Sequence, residues 1–146
     1  MHLLRRLLVL LLVPLLGACT HIERTQVSPA KDPAAFREVF VARNLSDNHR
    51  LAERIATVLR ARGLRAESGP LTLAPASAEA ILHYEDRWAW DFGEHMIYLR
   101  LDLHDPGAVR PHTSAHRLRH VGNSTDVDAA ISAVVAELLK PAPSTR

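Results

Sequence analysis

Apolar and polar positions divide the chain into segments of two periods. Phe36 to Arg43 (FREVFVAR) alternates and is rich enough in β-branched residues to predict a strand. Leu51, Ile55, Val58 and Leu59 then fall on one face of a predicted helix. Ser46 or Asn48 can cap its start, and Gly63 is suited to end it. Leu64 to Glu67 predicts a short strand, and Ser68 to Ser77, with Gly69, Pro70 and Pro75, a loop. A second helical stripe runs through Val127, Ile131, Val134, Val135 and Leu138. Thr125-Asp126-Val127-Asp128 opens it like a capping box with Asp in place of Glu, and Pro141 stops it.

Between the helices, "AILHYEDRWAWDFGEHMIYLRLDLHDPG" predicts a hairpin turning at Phe92-Gly93. Pairing residues whose numbers sum to 185 sets Leu82 against Leu103, Tyr84 against Leu101 and Trp88 against Ile97. The other face then sets Glu85 against Arg100 and His83 against Asp102. Apolar meets apolar and opposite charges meet, and a one-residue slip breaks both patterns. Asp105-Pro106-Gly107 makes a second turn, and His112 to His120 returns as a third strand. The expected fold is α+β: an antiparallel or mixed sheet of four to five strands with two helices on one face.

The N-terminus follows neither period. Arg5 and Arg6 precede an apolar run, Leu7 to Leu16, of about ten residues, well short of the roughly twenty that span a bilayer. A basic start, a short apolar run and the small residues Gly17 and Ala18 describe a secretory signal. Leu16-Gly17-Ala18-Cys19 resembles the lipobox of bacterial lipoproteins. That resemblance implies a lipidated Cys19 at the start of the mature chain, held by acyl chains in number sufficient for stable anchoring. Thr20, rather than Asp, implies outer-membrane sorting. The expected organisation is a signal peptide (1–18), a lipidated tether (19–35), one domain (36–140) and a tail (141–146).

Removing the signal changes the charge. The chain has 18 Lys+Arg and 16 Asp+Glu, and the signal takes two arginines and no acid. The mature chain is formally neutral, which gives no reason to expect a nucleic-acid partner. Cys19 is the one cysteine of the chain, so no intrachain disulfide can support the core.

Candidate chemistry is sparse. His112, His116 and His120 are four residues apart. Along a strand, neighbours in this series stand about 13 Å apart at ~3.3 Å per residue. Zinc ligands lie at about 2 Å from the metal, so the three cannot converge without help from His95 or His104 on the next strand. The ordinary reading is surface histidines. Asp86 shares the core face with Tyr84 and Trp88, where a carboxylate requires a partner, Arg117 or Arg119, or else lines a ligand pocket. Trp88 and Trp90 share a face, as core packing or as an exposed aromatic shelf. No nucleophile elbow, His-Glu-x-x-His, P-loop, paired-cysteine metal motif or EF-hand loop is present.

Tyr84, Arg87, Trp88, Trp90 and Asp91, followed by Asp105, Pro106 and Gly107, resemble a group of uncharacterised Gram-negative lipoproteins with a Tyr-x-x-Arg-Trp-x-Trp-Asp stretch. The likeness extends loosely over Val39 to Leu139. It implies an α+β fold and an envelope location, and no activity.

Three functions are expected in descending order. The first is a non-enzymatic outer-membrane lipoprotein, cofactor-free, facing the periplasm and binding an envelope protein. The second is a periplasmic metal- or small-ligand-binding lipoprotein using the strand from His112 to His120. The third is a hydrolase around Asp86 or Asp91.

Overall fold

A computed structural model describes residues 21–26, 32–90, 93–118 and 126–141. In chain order these form β1 (His21–Gln26), β2 (Glu38–Ala42), α1 (Leu51–Ala61), β3 (Arg65–Gly69), β4 (Ala80–Trp90), β5 (Glu94–His104), β6 (Thr113–Leu118) and α2 (Val127–Leu138). The fold is α+β, as expected, but the sheet has six strands, in the order β1-β6-β5-β4-β2-β3. β2, α1 and β3 make a parallel unit, and β2 also pairs in parallel with β4. β4, β5 and β6 form an antiparallel meander, and β1 closes it by pairing antiparallel with β6.

β1 corrects the expected tether. His21 to Gln26 pair residue by residue with Leu118 to Thr113. HIERTQ lacks an apolar alternation because β1 lies at the sheet's edge, where ladder hydrogen bonds rather than a buried face hold a strand.

α1 buries Leu51, Ala52, Ile55, Ala56 and Leu59 on one stripe. Its cap is neither Ser46 nor Asn48. The Asp47 carboxylate accepts from the amides of Leu51 (2.8 Å) and Ala52 (3.0 Å), and Arg50 turns the chain into the helix with φ +55°. After the helix, Gly63 sits at φ +86°, a conformation that a side chain disfavours. α2 is capped by Asp126, whose carboxylate accepts from Asp128 and Ala129. The expected Thr125 cap lies outside the described residues. α2 buries Ala130, Ile131, Val134, Val135 and Leu138.

The hairpin register holds from Leu82↔Leu103 to Arg87↔Tyr98 and then shifts. Trp88 pairs with Met96, not Ile97, and Trp90 pairs with Glu94. The extra residue on β5 is Ile97, a β-bulge. It turns Met96 onto the core face, 4% exposed.

One face of the sheet supplies Val39, Val41, Ala80, Leu82, Tyr84, Leu99, Leu101, Leu103 and Ala115 to a core shared with both helices. On the other face, Phe40, Ala42, Ala78 and Ile81 form a small apolar cluster with Ala74. Beyond it that face carries polar side chains.

β1 and β5 are both antiparallel to β6, so they run the same way. The start of β1 therefore lies at the same end of the sheet as the β4–β5 connection. The β2–α1 loop is at that end too, because β2 is parallel to β4.

Candidate functional site

The β2–α1 loop is pinned to β4 at this hairpin end. The Tyr84 hydroxyl accepts from the Asn44 amide (3.1 Å), and the Asn44 side chain donates to the Tyr84 carbonyl (2.9 Å). The same hydroxyl bonds to the Asp47 carboxylate. Burial, foremost, raises the Tyr84 phenol far above its ordinary value, and the Asp47 charge adds to this. Burial works to raise Asp47 as well. The amides of Ala52 and Leu51 and the Tyr84 hydroxyl outweigh it, so the Asp47 carboxyl lies below its usual value. The group is a structural clamp: a phenol kept neutral and a carboxylate kept ionised, each by the other and by the helix start.

Farther out along β4, the His49 ring stacks on Trp88 with centroids 3.6 Å apart and planes at 15°. His49 Nε2 lies 3.1 Å from a Glu94 carboxylate oxygen. The Trp88 indole N–H donates to Asp86 at 2.6 Å. Asp86 is therefore partnered by its own strand's tryptophan. Of the expected arginines, Arg119 lies outside the described residues, as do Asp91 and Phe92. The two tryptophans divide the two expected roles. Trp88 packs against the core edge, whereas Trp90 is 80% exposed.

Beside His49, a groove of about 680 Å³ runs along α1, lined by Arg50, Glu53, Arg54, Thr57 and Asp128 among others. Its charges are matched internally. Arg50 bridges Glu53, and Arg54 Nε lies 2.7 Å from Asp128. The Arg54 guanidinium holds the Asp128 carboxyl below its ordinary value.

The uncovered sheet face carries a polar lattice. Arg100 Nε donates to Asp102 (2.9 Å), which also accepts from Ser114. That pairing, ahead of the opposing effect of burial, raises the Arg100 pKa further. Arg87 bonds Glu85 and lies over the Tyr98 ring at 5.3 Å. His83 and His104 meet edge to face at 5.0 Å. Burial, then His104, holds the His83 imidazole below its usual value.

The histidines read as a candidate metal set are not brought together. His112 is buried edge-on against Phe36, centroids 5.7 Å apart. His116 turns to the open face, 3.6 Å from Glu23. His120 lies outside the described residues, and His95 and His104 sit on different rows of β5. Among the described residues, no group of three or more His, Cys, Asp or Glu side chains is placed to hold a metal ion. No helix there is long and apolar enough to cross a membrane.

The geometry defines a class: a six-stranded mixed sheet under a two-helix layer, with side-chain clusters that brace loops and strands. No protein family and no curated protein matches the chain by sequence. Solved structures do share the fold. A single-substitution variant of PelC from Paraburkholderia phytofirmans, described as a dodecamer, has TM-score 0.60 at 18% identity, covering 82% of this chain and 99% of its own. A second PelC dodecamer from that organism has TM-score 0.56 at 17% identity, covering 82% and 94%. A PDZ domain protein from Parabacteroides distasonis has TM-score 0.50 at 12% identity, covering 82% of this chain and 35% of its own. At these identities the likeness is one of fold.

Proposed function

We propose that this chain is a lipid-anchored outer-membrane lipoprotein facing the periplasm, and that it acts as a non-enzymatic binding or accessory module of the envelope. The observation that carries the reading is Leu16-Gly17-Ala18-Cys19, ending only two residues before β1 begins at His21. An anchor there leaves almost no slack between membrane and domain. The side-chain clusters support the accessory role, since Asp47 with Tyr84, Asp86 with Trp88 and Arg54 with Asp128 pair with one another. The partner we favour is a further copy of the chain. β1 and β3 terminate the sheet on opposite sides. Two different edges can join head to tail, the arrangement that generates rings. The PelC structures with this fold are dodecamers. Cys19→Ala tests the anchor. The variant is expected to stay unacylated and to leave the membrane fraction. A Cys19→Ala chain that still fractionates as an integral lipoprotein would sink the reading.

A further inference from the structure

We propose that the hairpin end of the domain makes a second, non-covalent contact with the membrane, seating Trp90 among the phospholipid headgroups. The proposal rests on the lipidation of Cys19.

The first argument is exposure. Leu45 is 110% exposed, Trp90 80% and Leu118 49%. Trp90 stands at the end of β4 and Leu118 at the end of β6, whereas Leu45 follows Asn44, which bonds to Tyr84, six residues short of Trp90 on β4. Trp90 contributes nothing to the core, which is served by Trp88 two residues earlier. An indole, apolar in body with one N–H to satisfy, suits the membrane–water boundary.

The second argument is position. His21 pairs with Leu118, and Leu118 with Tyr98, so the start of β1 is level with Tyr98. Trp90 lies three residues beyond Arg87, the β4 partner of Tyr98, the bulge at Ile97 adding one residue on β5 without adding length. At ~3.3 Å per residue that is about 10 Å. The two residues from His21 back to Cys19 can span at most about 7 Å. Trp90 therefore projects at least as far toward the membrane as the residue that carries the acyl chains. The lateral offset between β1 and β4 is about 14 Å, three strand spacings, so the anchor and the tryptophan are separate feet. Two feet fix the tilt of the domain, which one lipidated residue cannot do.

The test uses the full chain, purified from membranes and reconstituted in phosphatidylethanolamine–phosphatidylglycerol vesicles with and without brominated acyl chains. Trp88→Phe leaves Trp90 as the sole tryptophan. Its emission is expected to shift to the blue on reconstitution, to be quenched by the brominated lipid, and to be shielded from acrylamide. Because Trp88 stacks on His49, the converse variant Trp90→Phe guards against misfolding: the bromolipid quenching seen in the native chain should vanish. A vesicle-bound protein whose Trp90 ignores brominated lipid overturns the proposal. So does Trp90 shielded from acrylamide yet unquenched, which would mark a protein contact. Failure of the lipoprotein reading is separate and shows as a Cys19 peptide without acyl mass. In that case the mature chain is coupled through Cys19 to a maleimide lipid, and the same quenching decides.

Discussion

Tyr84 ties the β2–α1 loop to the sheet with a single hydroxyl. Tyr84→Phe removes the acceptor of the Asn44 amide and the partner of Asp47. The cost expected in urea unfolding is about 1–3 kcal/mol, that of leaving buried polar groups unpaired. Asp47→Ala removes the cap of α1, and about 1 kcal/mol is expected for it. The double variant should cost less than the sum, because the residues share a bond. Two pH windows separate the clamp from the open face. His83 is held below its ordinary value, so the folded state binds fewer protons than the unfolded one near pH 6.5. Its contribution is whole above that pH and is lost as pH falls from there through the folded value. Thermal midpoints should therefore decline on acidification from about pH 7.5 to about pH 5. His83→Gln should reduce that slope; an unchanged slope would remove His83 from the account. Asp47 acts lower, its stabilisation present above the ordinary carboxylate value and lost as pH falls through its depressed folded value.

At the scale of elements, burial ranks the substitutions. Ile55 and Leu59 are fully buried under the sheet, whereas Val58 is only partly buried. Leu59→Ala or Ile55→Ala should cost about 2–5 kcal/mol, and Val58→Ala clearly less. β1 covers the edge of β6, so amides of Thr113 to Leu118 that face it should exchange slowly. Deleting residues 21–26 should make them exchange fast while those of β4 stay protected. Both helices were legible because their buried stripes repeat with the helical period. The register from Leu82 to Arg87 was legible because opposite charges and apolar pairs agree across it. The bulge was not. Met96 and Ile97 are both apolar, so either register puts an acceptable residue on the core face. β1 escaped for the opposite reason: an edge strand needs no apolar alternation, and HIERTQ offers none. The Asp47 cap lies four residues ahead of Leu51 and depends on the left-handed turn at Arg50. The stack of His49 on Trp88 joins a loop to a distant strand, and no spacing along the chain announces it.

The whole molecule has a polarity that neither half of the sequence displays by itself. The start of β1 and the exposed Trp90 belong to elements far apart in the chain, and the antiparallel order β1-β6-β5-β4 brings them to one end. The opposite end carries the Asp105 to Pro111 turn, with Val109 exposed. For a lipid-anchored module this arrangement directs the turn toward the periplasm and leaves the edge strands β1 and β3 facing sideways. The proposed head-to-tail association of copies through β1 and β3 is compatible with a common membrane plane, and it predicts a closed oligomer by the mass of the detergent-solubilised protein. The reading depends first on the fate of Cys19. The most direct measurement is therefore intact-mass and N-terminal peptide analysis of the protein recovered from outer membranes. The account expects a mature chain beginning at an acylated Cys19, with residues 1–18 removed. A chain beginning at any other residue, or an unmodified Cys19 in the soluble periplasmic fraction, would contradict it.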